Sequence, residues 1–516
     1  MSALYDARRR RARGALIAAA LAVPVLALAS AARAEGTLTI AATAGPTGLD
    51  PTTSSNGVPS VWFPNLAYAA LIERAADGTA QPGLAKDWAY SQDRLSFVMN
   101  LRDGVKFSDG SPMTATEVVN WLKHYKEKGS FTAWLGKVTD ISATGPMQVT
   151  LKLKSPDPML PYGLDQDGMA GDVVGPAGLA NPEKLGATTD GAGPYMIDSG
   201  STILNSQYVY VKNPNYWDPG AQKWDKIVIK IISDSNAILA ALKTGQVQVA
   251  EGAASDAAAA EAAGLKIISA PSAMLGMYIG DIDGKIVPAL KDVRVRQALN
   301  YAIDRKGIVS SLYGKYGKPT DQFVPEGIGG YLAKLEDVYP YDPKKAKELL
   351  AAAGYPNGFD FTLVLQPAVS NGDLMAQAMV ANWKDVGVNC TLKPTDSFAT
   401  YVPLMGTQKY PATTLTFQYS VQLTDTQQLV TNPALYNYMG FTDQKANDLA
   451  EAQRRQDIES PAGKAAAEAS ETYMVENPIL VPVVSVDALL FAKDGVDGLK
   501  FTTYPWPDPT NWKPGK

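Results

Sequence analysis

Histidine and cysteine are almost absent from this sequence: His124 and Cys390 are the only ones in 516 residues. A single cysteine excludes an intramolecular disulfide and supplies no lipid-bearing cysteine behind a leader. A single histidine could serve a Ser-His-Asp triad only beside a Gly-x-Ser-x-Gly nucleophile elbow, and that pattern does not occur. Ser-x-x-Lys is missing too, so Lys243-Thr244-Gly245, which mimics one β-lactamase motif, reads as a helix C-terminus. One imidazole is also too few for most metal sites, and His124 falls on an expected helix with Val118 and Trp121, where packing accounts for it. Carboxylate pairs are not excluded, so a secreted carboxylate-dependent hydrolase such as a glycosidase stays open as the rival class.

Long apolar runs are also lacking. The best, Ala15 to Ala29, stops short of the roughly 20 residues a membrane-spanning helix needs. It follows Arg8, Arg9, Arg10, Arg11 and Arg13 and precedes Ala32-Arg33-Ala34, the layout of a secretory signal peptide cut before Glu35. The paired arginines lack a Ser-Arg-Arg-x-Phe-Leu surround, so general secretion is expected rather than the twin-arginine route. A soluble periplasmic protein, not a lipoprotein, is the expectation. The 34 leading residues hold six arginines and one aspartate, so removing their +5 takes the formal charge from −5 to −10. Such acidity disfavours nucleic acid and anionic membrane as partners.

What is present is a strand and helix alternation too long for one core. Lys226 to Ile232 reads as a buried strand, Asp234 as the cap of a helix ending at Gly245, and Val247 and Val249 as the next strand. Asp256 opens an Ala-rich helix closed by Gly264, and Leu265 to Ile268 is strand-like, which predicts βαβα with a parallel sheet. The second half repeats this grammar: Asp342 before Pro343, a helix ended by Gly354, a strand from Phe359 to Gln366, a helix from about Asp373 to Val386 stopped by Gly387, and a strand from Val388 to Leu392. Residues 75 to 195 have different texture, with short strands at Leu95 to Leu101 and Val149 to Leu153. They read as an inserted α+β domain.

Residues 101 to 119, LRDGVKFSDGSPMTATEVV, resemble a loop built for chemistry. Asp103 is nevertheless followed by Gly104, Val105, Lys106 and Phe107, which offer almost no oxygen ligands for calcium, and no Gly-Lys-Ser/Thr ends a phosphate loop. The structural reading is a strand ending at Leu101, turns at Asp103-Gly104 and Asp109-Gly110, and a helix capped by Thr114 with Glu117 completing a capping box.

Here the residues also carry a family resemblance. Leu71 to Glu73, Gly78, Pro82-Gly83-Leu84-Ala85, Trp88, Phe97, Leu101-Arg102, Gly104-Val105-Lys106-Phe107, Asp109-Gly110, Pro112 and Ala115 are similar to the signature of the family 5 extracellular solute-binding proteins. Gly191 to Tyr195, Asn213 to Trp217, Leu242 to Gly245, Asp292 to Arg305, Pro478 and Pro482 follow in the family's order. The resemblance covers nearly the whole expected mature chain. It implies an α/β, periplasmic-binding-protein type II-like two-lobe fold with an additional inserted α+β domain, serving an ABC importer of dipeptides, oligopeptides or nickel. The division expected is a signal peptide at 1–34, lobe I from 35–74, 196–271 and 488–516, the insert at 75–195, and lobe II at 272–487. A non-enzymatic receptor without a cofactor follows, a monomer whose partners are a small-molecule ligand and the ABC permease subunits of the inner membrane.

Departures from the family bear on the ligand. Ser108 and Glu117 replace its usual His and Asp at structural positions. In Thr414 to Val421, peptide-binding members usually place an aspartate that pairs with the peptide ammonium, yet no acid occurs here before Asp425. An ammonium buried without a counter-charge costs several kcal/mol, so peptide stands as one candidate beside opine, sugar and chelate. Ligands of open α/β sheets sit beyond the carboxyl ends of strands, and in two-lobe proteins between the lobes. That nominates Thr43 to Thr47 with Thr47 as a hydrogen-bonding group, Tyr278, Gln366, and Phe417, Gln418 and Tyr419, with Trp62 from the turn-rich loop after Pro59. Alternate aromatics in a strand serve cores as often as pockets. Closure is expected about segments near residues 271 and 487.

Overall fold

The computed structural model describes residues 36–53, 62–75, 78–130, 132–324, 326, 330–367, 371–418, 437–458, 460–501 and 505–515. The expected signal peptide lies outside them. Strand β1 (Thr37–Ala42) is followed by a ribbon of β2 (Ile72–Arg74) and β3 (Ala80–Pro82). Next comes a four-stranded antiparallel sheet of β4 (Ala85–Tyr90), β5 (Ser96–Leu101), β6 (Val138–Gly145) and β7 (Gln148–Leu153), in the order β4-β5-β7-β6, with helix α1 (Ala115–Lys128) packed on it. Residues 101 to 119 are scaffold. After β5 ends at Leu101, Gly104 and Gly110 turn the chain at φ 75° and 89°, in the left-handed region that glycine enters without strain. The Thr114 amide then donates to Glu117 Oε2 at 2.9 Å and the Thr116 amide to Thr114 Oγ1 at 3.2 Å, so two orphan amides at the start of α1 are satisfied. Phe97, Met99, Trp121 and Leu151 of this region share one apolar core with Ile40, Ile227 and Ile229.

Short helices α2 (Leu160–Gly163) and α3 (Pro176–Ala180) lead into β8 (Tyr195–Ile197), β9 (Gln207–Lys212) and β10 (Lys226–Ile231). Helix α4 (Ser235–Thr244) begins where Asp234 accepts the Ala237 amide at 2.7 Å and ends where Gly245 turns left-handed at φ 75°. Strand β11 (Val249–Gly252), helix α5 (Ala257–Ala262) and strand β12 (Lys266–Ile279) follow. Asp256 precedes α5 without capping it through its side chain. Further on come α6 (Val293–Tyr301), α7 (Arg305–Leu312), β13 (Gly317–Pro319), α8 (Pro343–Ala352), β14 (Asp360–Val364), α9 (Gly372–Asp385), β15 (Asn389–Lys393), β16 (Ala412–Gln418) and β17 (Leu480–Ala492). Asp342 caps α8 by accepting the Lys345 amide at 2.8 Å, and Gly354 and Gly387 close their helices at φ 91° and 90°.

These strands form one eleven-stranded sheet in the order β15-β14-β16-β12-β17-β11-β1-β10-β9-β8, with β13 beside β17. Strands β10, β1 and β11 run parallel, as do β14, β15 and β16. The uninterrupted parallel run expected between Val249 and Ile268 is broken, because β17 inserts antiparallel between β11 and β12. Only β12 and β17 extend through both halves of the sheet. Their register pairs Pro271 with Asp487 and Ala273 with Val486, so Ser272 is the extra residue of a β-bulge.

The Asp292 to Arg305 motif explains how β17 is held. Arg296 Nε donates to the Pro478 carbonyl at 2.8 Å, Asn300 Nδ2 to Leu480 at 3.1 Å, and Arg305 Nε to Pro482 at 2.8 Å. Four helical residues rise about 6 Å and two strand residues about 6.7 Å, so side chains along α6 and α7 meet alternate carbonyls of one strand. Prolines are tolerated there because nothing on that edge needs an amide donor.

Candidate functional site

A cavity of about 310 Å³ lies at the bulge, floored by Ser272, Ala273, Val486 and Asp487. One wall comes from the carboxyl ends of β1 and β11, through Thr43 and Glu251, and from the start of α4 at Ser235. The opposite wall is Tyr313 at the end of α7, Asn371 before α9, and Thr416 and Gln418 on β16. Phe501, Pro505 and Pro507 of the C-terminal stretch close one side. Both halves of the sheet therefore contribute to one cleft.

Glu251 is its most organised charged group. The Thr43 amide donates to Oε2 at 2.9 Å and the Thr43 hydroxyl to the same oxygen at 3.2 Å. Burial pushes the Glu251 carboxyl above its ordinary range, and the Thr43 donors and the Trp62 indole oppose that rise. Asp487 is likewise raised by burial, with the Ser269 hydroxyl and the Lys318 charge acting against it. The Tyr313 hydroxyl is buried with no hydrogen-bond partner, and burial raises its pKa, so it stays neutral. Asn371 occupies the left-handed region at φ 61° and ties itself to α7 by donating to the Leu312 carbonyl at 3.2 Å.

The nominated residues separate by strand parity. On β16, Thr416 and Gln418 reach the cleft, whereas Phe417 turns to the other face and packs edge-on to Phe323, ring centroids 5.0 Å apart. Tyr278 is fully buried in that same core, edge-on to Tyr438. Both aromatics, expected to face the ligand, are instead core side chains and do not line this cavity. Gln366 joins strands instead of presenting itself to a ligand. Its amide donates to Thr414 Oγ1 at 2.8 Å and its Oε1 accepts the Thr416 amide at 2.8 Å, continuing the β14–β16 pairing beyond Val364. Thr47 is exposed and stands outside the cleft wall. Trp62 is buried against Phe63 and lines a larger cavity, of about 710 Å³, bounded by Tyr68, Trp217 and Trp506. Tyr419 lies outside the described residues.

Glu251, Asp487, Tyr313 and Asn371 were not among the nominations. The carboxyl-end rule that picked out Thr43 applies equally to β11, so Glu251 was within reach of it. Tyr313 and Asn371 sit in loops whose destination no local pattern reveals. Away from the cleft, His124 stacks on Trp121, ring centroids 6.2 Å apart, and burial pushes the Cys390 thiol up to about 12.

Comparison with known proteins agrees with this architecture. The family model described as "Bacterial extracellular solute-binding proteins, family 5 Middle" matches residues 79–448. Heme-binding protein A of Haemophilus influenzae is 31% identical over 358 residues, which span 62% of this chain and 63% of that protein's length. Glutathione-binding protein GsiB of Escherichia coli O1:K1 is 29% identical over 385 residues, 73% of each chain. The solved structure of HbpA2 from Haemophilus parasuis superposes with a TM-score of 0.80 at 22% identity, covering 93% of this chain and 100% of that one.

Proposed function

Because the chain belongs to family 5 of the bacterial extracellular solute-binding proteins, we propose that it is a periplasmic receptor that closes its two lobes over a small polar solute and delivers it to an ABC import permease. Its fold is the α/β, two-lobe type II periplasmic-binding-protein fold. The observation that carries the proposal is the position of the cavity: it sits on the β12–β17 bulge, with Thr43 and Glu251 on one side and Tyr313, Asn371 and Gln418 on the other. A solute touching both walls favours the closed form, because only differential contact shifts a two-state equilibrium. Lobe I is 35–74, 196–271 and 488–516, the insert 75–195, and lobe II 272–487, so that rotation takes place in the two strands that cross at Ser272 and Asp487. The receptor itself catalyses nothing, and ATP is hydrolysed elsewhere in the importer.

The test is small-angle X-ray scattering of the purified protein before and after exposure to small-molecule extract of a bacterial culture, with native mass spectrometry to weigh what is retained. A retained small molecule together with a smaller radius of gyration is expected. Conversion of extract components into products, with no change in radius, would instead revive the hydrolase.

A further inference from the structure

The charged side chains that line the cleft are of one sign among the described residues. Glu251, Asp256 and Asp487 line it, and no Lys, Arg or His does among the described residues. From this, and resting on the cleft being the solute site, we infer that the ligand is an organic cation, bearing an ammonium or guanidinium group and no free carboxylate.

Three features give the inference its chemistry. Both Thr43 bonds fall on Glu251 Oε2 and the Trp62 indole lies beside the same carboxyl, so the carboxylate is held in place to accept a ligand N–H. Tyr313, a residue 3% exposed, stands in the opposite wall, and its buried hydroxyl has no hydrogen-bond partner, which makes it a neutral acceptor for a second N–H of the same cation. Asp487 lies on the strand about which the lobes turn, so a cation placed against it and Glu251 is held more tightly when the cleft is shut. Burial raises both carboxyls, and a cation placed between them favours their ionised form.

The same arrangement rejects anions. A carboxylate here would be desolvated beside Glu251 and Asp487, and no guanidinium or ammonium of the described residues lines the cavity to pair with it, the Lys318 charge that acts on Asp487 lying outside that lining. Glutathione carries two carboxylates, and a free dipeptide carries one at its C-terminus. A dipeptide ammonium would find Glu251, but its carboxylate would find no partner. This charge pattern assigns selectivity to lobe I and the crossing strand rather than to the 414 to 421 stretch.

Isothermal titration calorimetry of the full protein decides the matter with putrescine, agmatine and spermidine against dialanine, glutathione and maltose. At least one of the three cations binds, and Glu251→Gln weakens that binding about 30-fold or more while Glu251→Asp retains part of it. A thermal midpoint unchanged in Glu251→Gln shows that the loss is local. Silence from all three cations overturns the inference, as does cation binding that Glu251→Gln leaves intact. Dialanine, glutathione or maltose binding with contraction of the protein, the cations being silent, overturns the charge assignment alone and leaves the receptor reading standing.

Discussion

Replacing Arg305 by methionine tests how the sheet beneath the cleft is held. Arg305 is buried and spends its donors on four acceptors: Pro482 O at 2.8 Å, Asn300 O at 3.0 Å, Tyr339 O at 3.1 Å and Asn300 Oδ1 at 2.7 Å. It also pairs with Asp321 at 3.0 Å, and Asp321 in turn accepts the Tyr339 amide at 2.9 Å. Methionine fills much of the space and restores none of these bonds. The Asp321 carboxylate is left buried without its counter-charge, a class of change that costs about 3–5 kcal/mol. A loss of about 4 kcal/mol lowers the folded-to-unfolded ratio roughly a thousandfold. Urea unfolding at pH 7.5, followed by far-UV circular dichroism, should therefore show a clear drop in midpoint. The double variant Arg305→Met/Asp321→Asn should recover part of the loss, because it removes the orphaned charge but not the orphaned carbonyls. If Arg305→Met unfolds within about 1 kcal/mol of the parent, or if the double variant is no better than the single one, the account of β17 as a strand anchored by side chains is wrong.

Three further outcomes are expected. Asp172 is fully buried with neither carboxyl oxygen hydrogen-bonded, and burial together with the nearby Asp165 and Asp167 holds its pKa well above the ordinary range, the Arg74 guanidinium being paired with Asp165. The folded state keeps a proton that the unfolded chain releases above about pH 4, so stability from this group is full below that pH and falls as pH rises through the raised pKa. Asp172→Asn should thus melt higher than the parent at pH 8, the difference shrinking toward pH 4 in calorimetry; an equal gap at both pH values contradicts this. Cys390, with its thiol pushed up to about 12, should react slowly with a disulfide reagent at pH 8 and rapidly only in urea, and fast native labelling would refute its burial. Deleting Ser272 removes the bulge and leaves the flanking residues paired as they are, with Pro271 against Asp487 and Ala273 against Val486, so the variant should lose solute-driven contraction in X-ray scattering, and unaltered contraction would show that the bulge is not the pivot.

Much of the fold was legible because its signals are local. Asp234, Asp342 and Thr114 each satisfy an amide two or three residues away, and Gly245, Gly354 and Gly387 supply the left-handed turn that ends a helix. Such events need only a few neighbouring residues. The strand ends were equally readable, which is why Thr43 and Gln418 were nominated from sequence and are found lining the cleft.

What the chain could not decide alone was which way its strands face and what their ends meet. Period-2 alternation says that Phe417 and Gln418 point oppositely but not which of them sees solvent, and pairing with β12 sends Phe417 to the core and Gln418 to the cleft. Tyr278 obeys the same pairing. Gln366 reads as a free polar group at a strand end until β16 arrives beside it and takes up both its amide and its side chain. Glu251, Tyr313 and Asp487 lie far apart in sequence and meet only because β17 enters antiparallel between β11 and β12 and carries Asp487 to the bulge. Local chemistry sets each element, since caps and periodicity act within a turn or a strand. The sign and shape of the cleft belong to tertiary structure, because they depend on long-range register, where a shift of one residue exchanges core for site.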